Sequence, residues 1–398
     1  MTKPRTVNRI ATFFAAMAAG AMILGGWVVS DIVGHDTGAQ RHPSARVAPA
    51  GPPIAAETPV VVAHLSDIPS AAVELDKRLT RLGRDFRGDV GLAVRDVQTG
   101  WTSDHRGLDH FPQQSVSKLW VAIAALHQAD LGRLDLTGEL TVRREDLTLF
   151  HQPIRALALR PGGYRTTAED LLVRALADSD NSANDRLLNQ IGGPAMVRTT
   201  LAAKGLSGIR FGPGERKLQA GIAGLDWKQS YALGNAFHAA RDTIENDARR
   251  AAFDAYVADP IDGATPIAMV DALARLQQGK LLSPASTTRL LSIMSHSKTG
   301  PNRLKGGLHD GWTLSHKTGT GQVLQGEQAG YNDVGILTSP DGHSYAVAVL
   351  IGRTSRPLRE RMKLMQQVVA ATIAYDAQLA AQRSVAADPP EDKGVTIP

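Results

Sequence analysis

Three short motifs, Ser115-Val116-Ser117-Lys118, Ser179-Asp180-Asn181 and Lys317-Thr318-Gly319, follow one another in that order along a chain of 398 residues. Together they supply a serine hydroxyl, a lysine near it, a second hydroxyl beside a carboxamide, and a cationic strand edge. A serine hydroxyl attacks a carbonyl only when a base removes its proton. Lys118 can be that base if burial and the charge of Lys317 depress its pKa. Ser179 could pass a proton to a leaving nitrogen, and Asn181 could donate to a substrate amide carbonyl. The triplet Lys317, Thr318 and Gly319 could hold a substrate carboxylate. Backbone N–H groups of Ser115 and Thr320 would make an oxyanion hole. The chemistry so defined is acyl transfer through an ester on Ser115.

Both terminal motifs occur twice: Ser295/Lys298 also fits S-x-x-K, and Lys298-Thr299-Gly300 also fits K-T-G. Context separates the copies. Ser115 opens the apolar run Leu119–Leu126, so its hydroxyl sits near the positive end of a helix. Lys118, three positions on, shares its face. Ser295 closes a helix, where carbonyls would oppose an anionic intermediate. Lys317 ends an alternating stretch, Trp312–His316, as a strand should. The first serine and the second triplet are therefore the chemical ones, and the other copies are expected on the solvated surface.

The elements that position these motifs follow from periodicity. Val73, Leu75, Leu79 and Leu82 have helical spacing over 71–83. Val90, Leu92 and Val94 alternate, then Gln98-Thr99-Gly100 turns the chain into a second strand from Trp101, a hairpin. A mostly helical stretch follows to about residue 300. Strands are expected at 312–316, 334–337 and 345–351, and an amphipathic helix at 357–382. This order predicts a mixed α/β fold, an antiparallel sheet flanked by helices with an all-helical lobe inserted.

Composition limits the alternatives. There are no cysteines, which excludes disulfides and thiolate chemistry. Net charge is +5 with pI near 9.4. That favours anionic partners such as cell-wall polymer or lipid headgroups. Without a Lys/Arg run interleaved with aromatics, nucleic acid is not expected. His105, His110 and His151 have no ligand spacing, and no metal or other cofactor is expected. Lys3, Arg5 and Arg9 precede an apolar run over residues 10–29, long enough to span the inner membrane. Residues 1–30 are read as a signal-anchor or signal peptide, 31–68 as a Pro/Ala-rich tether, 69–383 as the catalytic domain and 384–398 as a disordered tail. The domain would act outside the cytoplasm, periplasmic or extracytoplasmic, anchored or secreted, as a monomer.

From about residue 71 to 383 the chain resembles the class A serine β-lactamases of the β-lactamase/penicillin-binding protein superfamily. The three motifs carry the resemblance. So do Ser179–Asp185, Ile191-Gly192-Gly193-Pro194 and Leu281-Leu282-Ser283. The resemblance implies further roles: Phe150 as the aromatic at the site entrance and Arg303 as the guanidinium for the substrate carboxylate. Glu215, with Leu218 beside it, would be the glutamate that activates the deacylating water. Gln219 replaces the asparagine that shares this water. Pro213 occupies the place of the arginine that closes the family's loop, which leaves loop closure unexplained. The next match, Ala264-Thr265-Pro266, arrives late. The surplus holds the helix-like segments Tyr231–Arg241 and Ala248–Val257, which could cap the site, reshape it or slow deacylation.

The resemblance implies hydrolysis of a β-lactam amide through an acyl-enzyme on Ser115. The rival is a D,D-peptidase-like or penicillin-binding cell-wall hydrolase, acting on peptidoglycan peptide and deacylating slowly. A non-enzymatic wall sensor with a relic site is a third possibility, opposed by the complete nucleophile set.

Overall fold

The computed structural model describes residues 70–387. The apolar segment 10–29, the tether and the end of the chain lie outside the described residues. Among those described, no helix is long and apolar enough to cross a membrane.

Five strands form the main antiparallel path: β1 (Val90–Asp96), β2 (Thr102–His105), β3 (Thr313–Thr320), β4 (Glu327–Thr338) and β5 (Ser344–Thr354). Their spatial order is β2-β1-β5-β4-β3, with a short strand Val323–Leu324 also on β4. The register Val90↔Ile351 through Asp96↔Tyr345 sews the N-terminal hairpin to the last strand. Side chains alternate across a sheet with period two. Val347, Val349 and Ile351 therefore face the core built with the helices Ser70–Asp85 and Leu358–Ala387. Ala346, Ala348 and Leu350 face the core shared with the helical lobe. The closing helix runs into the start of the expected tail, to Ala387.

Sequence periodicity located these elements but shortened the late strands. The expected strand 312–316 proves to be the first half of β3, which begins at Thr313, and 334–337 lies at the end of β4. Both continue through polar residues that are buried because they build the site. Two small ladders, Phe111–Pro112 with Gly263–Ala264 and Glu139–Val142 with Tyr164–Thr167, are too short for a period to reveal.

The helical lobe is punctuated by side-chain caps. Thr167 accepts from Asp170 N, Asp180 from Ala183 N, Thr265 from Ala268 N, and Ser283 from Ser286 N. Each satisfies a donor that the first helical turn leaves open. Asp180, the middle residue of its motif, also accepts from Ile154 N at 2.6 Å, so its task is to shape the motif.

Leu79 is fully buried between the terminal helices and the sheet. Leu79→Ala is expected to lower unfolding free energy by about 2–4 kcal/mol, measured by urea denaturation. A loss under about 0.5 kcal/mol would mean that this face is not packed as described.

Candidate active site

The chain enters the nucleophile turn through Gln113, which is wholly buried. Its Nε2 donates to Arg210 O and Asp262 O, and its Oε1 accepts from Trp120 Nε1. Asn332 on β4 donates to Pro112 O at 2.7 Å and Gln113 O at 3.0 Å. A Cβ on Gly319 would lie 2.4 Å from Gln113 O, so β3 passes this turn closely only as glycine. Ser115 itself lies in a 3-10 turn, Gln114–Ser117, and the α-helix proper begins at Lys118. The serine therefore precedes the helix it was expected to open.

Lys118 is the hub. Its Nζ donates to Ser115 Oγ at 2.7 Å, Asn181 Oδ1 at 2.8 Å and Glu215 Oε1 at 2.5 Å. All three N–H bonds of the ammonium are thus used inside a buried site, which is what a buried charge requires. Asn181 donates through Nδ2 to Leu149 O, which fixes its amide. Ser179 has a left-handed backbone, φ 59°, and its Oγ accepts from Lys317 Nζ at 2.9 Å. Lys317 is buried on β3. Burial, reinforced by the charges of Lys118 and Arg303, holds its pKa well below the usual lysine range.

Glu215 begins the helix Glu215–Ile222, and Asp185 caps it by accepting from Glu215 N at 3.0 Å and Arg216 N at 3.2 Å. Gln219 Nε2 faces Glu215 Oε2 at 3.3 Å and Gln114 Oε1 at 3.0 Å. The far end of the loop is held by Asp262, which accepts from Gln114 N at 2.8 Å and Tyr256 Oη at 2.9 Å. Pro213 thus leaves no gap: two carboxylates bonded to N–H and O–H donors close the loop. Burial pushes both acids up to about 6, the nearby charge of Glu215 adding to the effect.

Arg303 is tied inward. It donates to Gly319 O, Asn332 O and Thr320 Oγ1 and stacks 3.8 Å over Tyr331. Thr318 Oγ1 meets Thr299 Oγ1 at 2.7 Å. Phe150 stands at the rim, 43% exposed, edge-on to Phe237 of the surplus. Arg303, Thr318, Thr299 and Phe150 line a cleft of about 510 Å³ with Ser115, Ser179, Asn181, Gln219 and Thr320. Of the duplicate copies, Ser295 is exposed and Lys298 pairs with Asp178 at the surface, as expected. Thr299 and Gly300 are not solvated surface: they line the cleft, because Thr299 is bonded to Thr318.

The surplus segment does not line the cleft. It forms the helices Ala236–Asp242 and Asn246–Ala258 behind it. Arg250 donates to Glu327 and Gln325, and Arg353 pairs with Asp254, fixing the second helix to the sheet. Gln114, Asp185, Tyr256, Asp262 and Asn332 belong to the site's support. None was given a role from sequence, and of these only Asp185 fell in a segment, Ser179–Asp185, that carried the resemblance. For Gln114 the adjacency to Ser115 was the available signal.

Comparison with known proteins completes this picture. The chain belongs to the β-lactamase enzyme family, whose model matches residues 74–378. It is a class A serine β-lactamase and hydrolyses β-lactams, which decides against the penicillin-binding and sensor alternatives. It is 29% identical to β-lactamase VEB-1 of Pseudomonas aeruginosa over 289 residues, 72% of this chain and 85% of that protein. A β-lactamase of Chitinophaga pinensis aligns with TM-score 0.62 and 28% identity, covering 76% of this chain and 98% of the other. The ancestral class A β-lactamase GNCA aligns with TM-score 0.60 and 28% identity, covering 75% and 98%.

Asp262 gives a pH test. A carboxyl whose pKa is raised on folding binds its proton more tightly in the folded state. Its contribution is fully present below the unfolded pKa, near 3.9, and is lost as pH rises through about 6. Between pH 4 and 7 the wild-type chain should lose about 2 kcal/mol more stability than Asp262→Asn, read from urea unfolding at several pH values. Parallel pH profiles for the two proteins would refute the assignment.

Proposed function

We propose that Ser115 is the nucleophile and that Glu215 activates the water that frees it. The observation that carries this reading is the single ammonium of Lys118 joining Ser115 Oγ and Glu215 Oε1. As the Ser115 oxygen attacks the lactam carbonyl, its proton passes to the Lys118/Glu215 pair. Backbone N–H groups of Ser115 and Thr320 receive the developing oxyanion. The ring C–N bond then breaks. Ser179 donates its hydrogen to the leaving nitrogen and takes a replacement from Lys317, from which its oxygen already accepts. The proton taken from Ser115 replenishes Lys317, so Glu215 enters the next step as a carboxylate.

The acyl-enzyme ester is then attacked by water. Glu215 takes one proton from that water, with Gln219 donating to its other oxygen. The C–O bond to Ser115 breaks, Ser115 recovers its hydrogen, and the ring-opened acid leaves. Asn181 orients the substrate amide. Lys317, Thr318, Gly319 and Thr320 hold the carboxylate at the β3 edge, and Arg303 adds positive charge behind them. Phe150 packs against the substrate at the rim.

We further infer that residues 10–29 hold or deliver this domain across the inner membrane, with 31–68 as tether. Its basic flank and apolar length support that placement, and a monomer suffices because every proposed role is filled from one chain.

The test is turnover of a penicillin by the full chain beside Ser115→Ala and Glu215→Ala. The unmodified enzyme should consume many equivalents. Glu215→Ala should lose about 10³-fold in kcat and accumulate one acyl adduct by mass spectrometry. Ser115→Ala should form none. Unimpaired turnover in Glu215→Ala would overturn the assignment of that glutamate.

A further inference from the structure

The surplus helix Asn246–Ala258 sends one polar group toward the catalytic loop, the hydroxyl of Tyr256. Its ring is packed among Leu218, Ile222, Phe253, Leu324 and Ala329, on the back of the helix that carries Glu215. The hydroxyl makes two bonds: it donates to Asp262 Oδ1 at 2.9 Å and accepts from Gln114 Nε2 at 2.7 Å. Gln114 Oε1 accepts from Gln219 Nε2 at 3.0 Å, and the same Nε2 faces Glu215 Oε2 at 3.3 Å. Gln219 Oε1 accepts from Gln322 Nε2 at 3.1 Å.

Each step of this chain fixes the direction of the next. The Asp262 carboxylate only accepts, so Tyr256 must spend its one hydrogen there. The phenol oxygen must then receive a donor, which turns Gln114 so that Nε2 faces Tyr256 and Oε1 faces Gln219. Gln219 in turn must present Nε2. Reversing any amide would set two acceptors against each other in a buried site, and an unmade buried hydrogen bond is costly.

We propose that Tyr256 is a positioning residue for hydrolysis of the acyl-enzyme, acting through Gln114 to keep the N–H end of Gln219 against Glu215. This inference rests on the reading of Glu215 as the deacylating base. Glu215 orients Gln219 by itself only while it is charged. Once it takes a proton from water, its hold on the amide is lost, and the protonated acid can donate to Oε1 of a reversed Gln219. The Tyr256–Gln114 chain does not depend on that charge. It holds the donor in place through the step, so that the acid passes its proton on and the carboxylate is restored.

The experiment is pre-steady-state kinetics of the full chain with a chromogenic cephalosporin, comparing wild type, Tyr256→Phe, Gln219→Ala and the double variant. Tyr256→Phe keeps the ring and removes only the hydroxyl. Deacylation is expected to slow at least about tenfold and acylation to change less than about threefold. kcat and KM then fall together with kcat/KM nearly constant. The double variant should deacylate no more slowly than Gln219→Ala, because both changes break one chain. Gln114→Met, which removes the linking amide at similar shape, should give the same split, and carries the test if Tyr256→Phe does not fold. Deacylation unchanged in Tyr256→Phe, acylation slowed equally, or additive losses in the double variant would each overturn the proposal. Unimpaired deacylation in Glu215→Ala would instead sink the underlying reading, and that failure is read without any Tyr256 variant.

Discussion

The buried pair between Lys118 and Glu215 sets the conditions for everything around it. Bringing an ammonium and a carboxylate out of water costs several kcal/mol per ion unless their remaining hydrogen-bonding positions are filled. Here they are filled by groups the reaction needs: Ser115 and Asn181 complete Lys118, and Gln219 serves the second oxygen of Glu215. The pair therefore forms only when the nucleophile turn, the helix opened by Asn181 and the helix opened by Glu215 stand in one arrangement.

That arrangement explains why so much of the molecule is devoted to holding one loop. Asp185 and Asp262 grip its two ends through N–H and O–H donors, and burial at those positions raises the pKa of both. The surplus helices belong to the same task. One underlies Phe150 through Phe237 at the rim of the cleft, and the other wedges Phe253 and Tyr256 between the loop helix and the sheet. A segment that sequence alone allowed to be a lid is a buttress, and the cleft remains open.

The sequence disclosed what depends on local pattern. Ser115 and Lys118 were legible because a reactive serine beside a long apolar helix is a local feature, and the decoy at Ser295 was recognisable from its helix end. β1 was legible because its apolar residues alternate, β2 because the turn Gln98-Thr99-Gly100 leads into it, and β5 because Tyr345–Ile351 is an unbroken apolar run. The support of the site was not. Gln114 meets Tyr256 and Asp262 across more than a hundred residues of chain, and a hydrogen bond between distant polar residues leaves no period or motif. β3 and β4 read as shorter than they are because Lys317, Thr318, Asn332 and Asp333 are buried for chemistry, against the usual sorting of polar residues to the surface. The inward turn of Arg303 depends on carbonyls of β3 and β4 that only the folded sheet brings together.

The central claim, that Lys118 and Glu215 form one buried ion pair, is tested most directly by a double-mutant cycle on folding free energy with Lys118→Met and Glu215→Gln. Each single change strands a partner in the interior and should cost about 3 kcal/mol. The double variant should cost no more than either single one, giving a coupling of about 2 kcal/mol or more. Single costs that add to within about 0.5 kcal/mol would contradict the pairing and the account built on it.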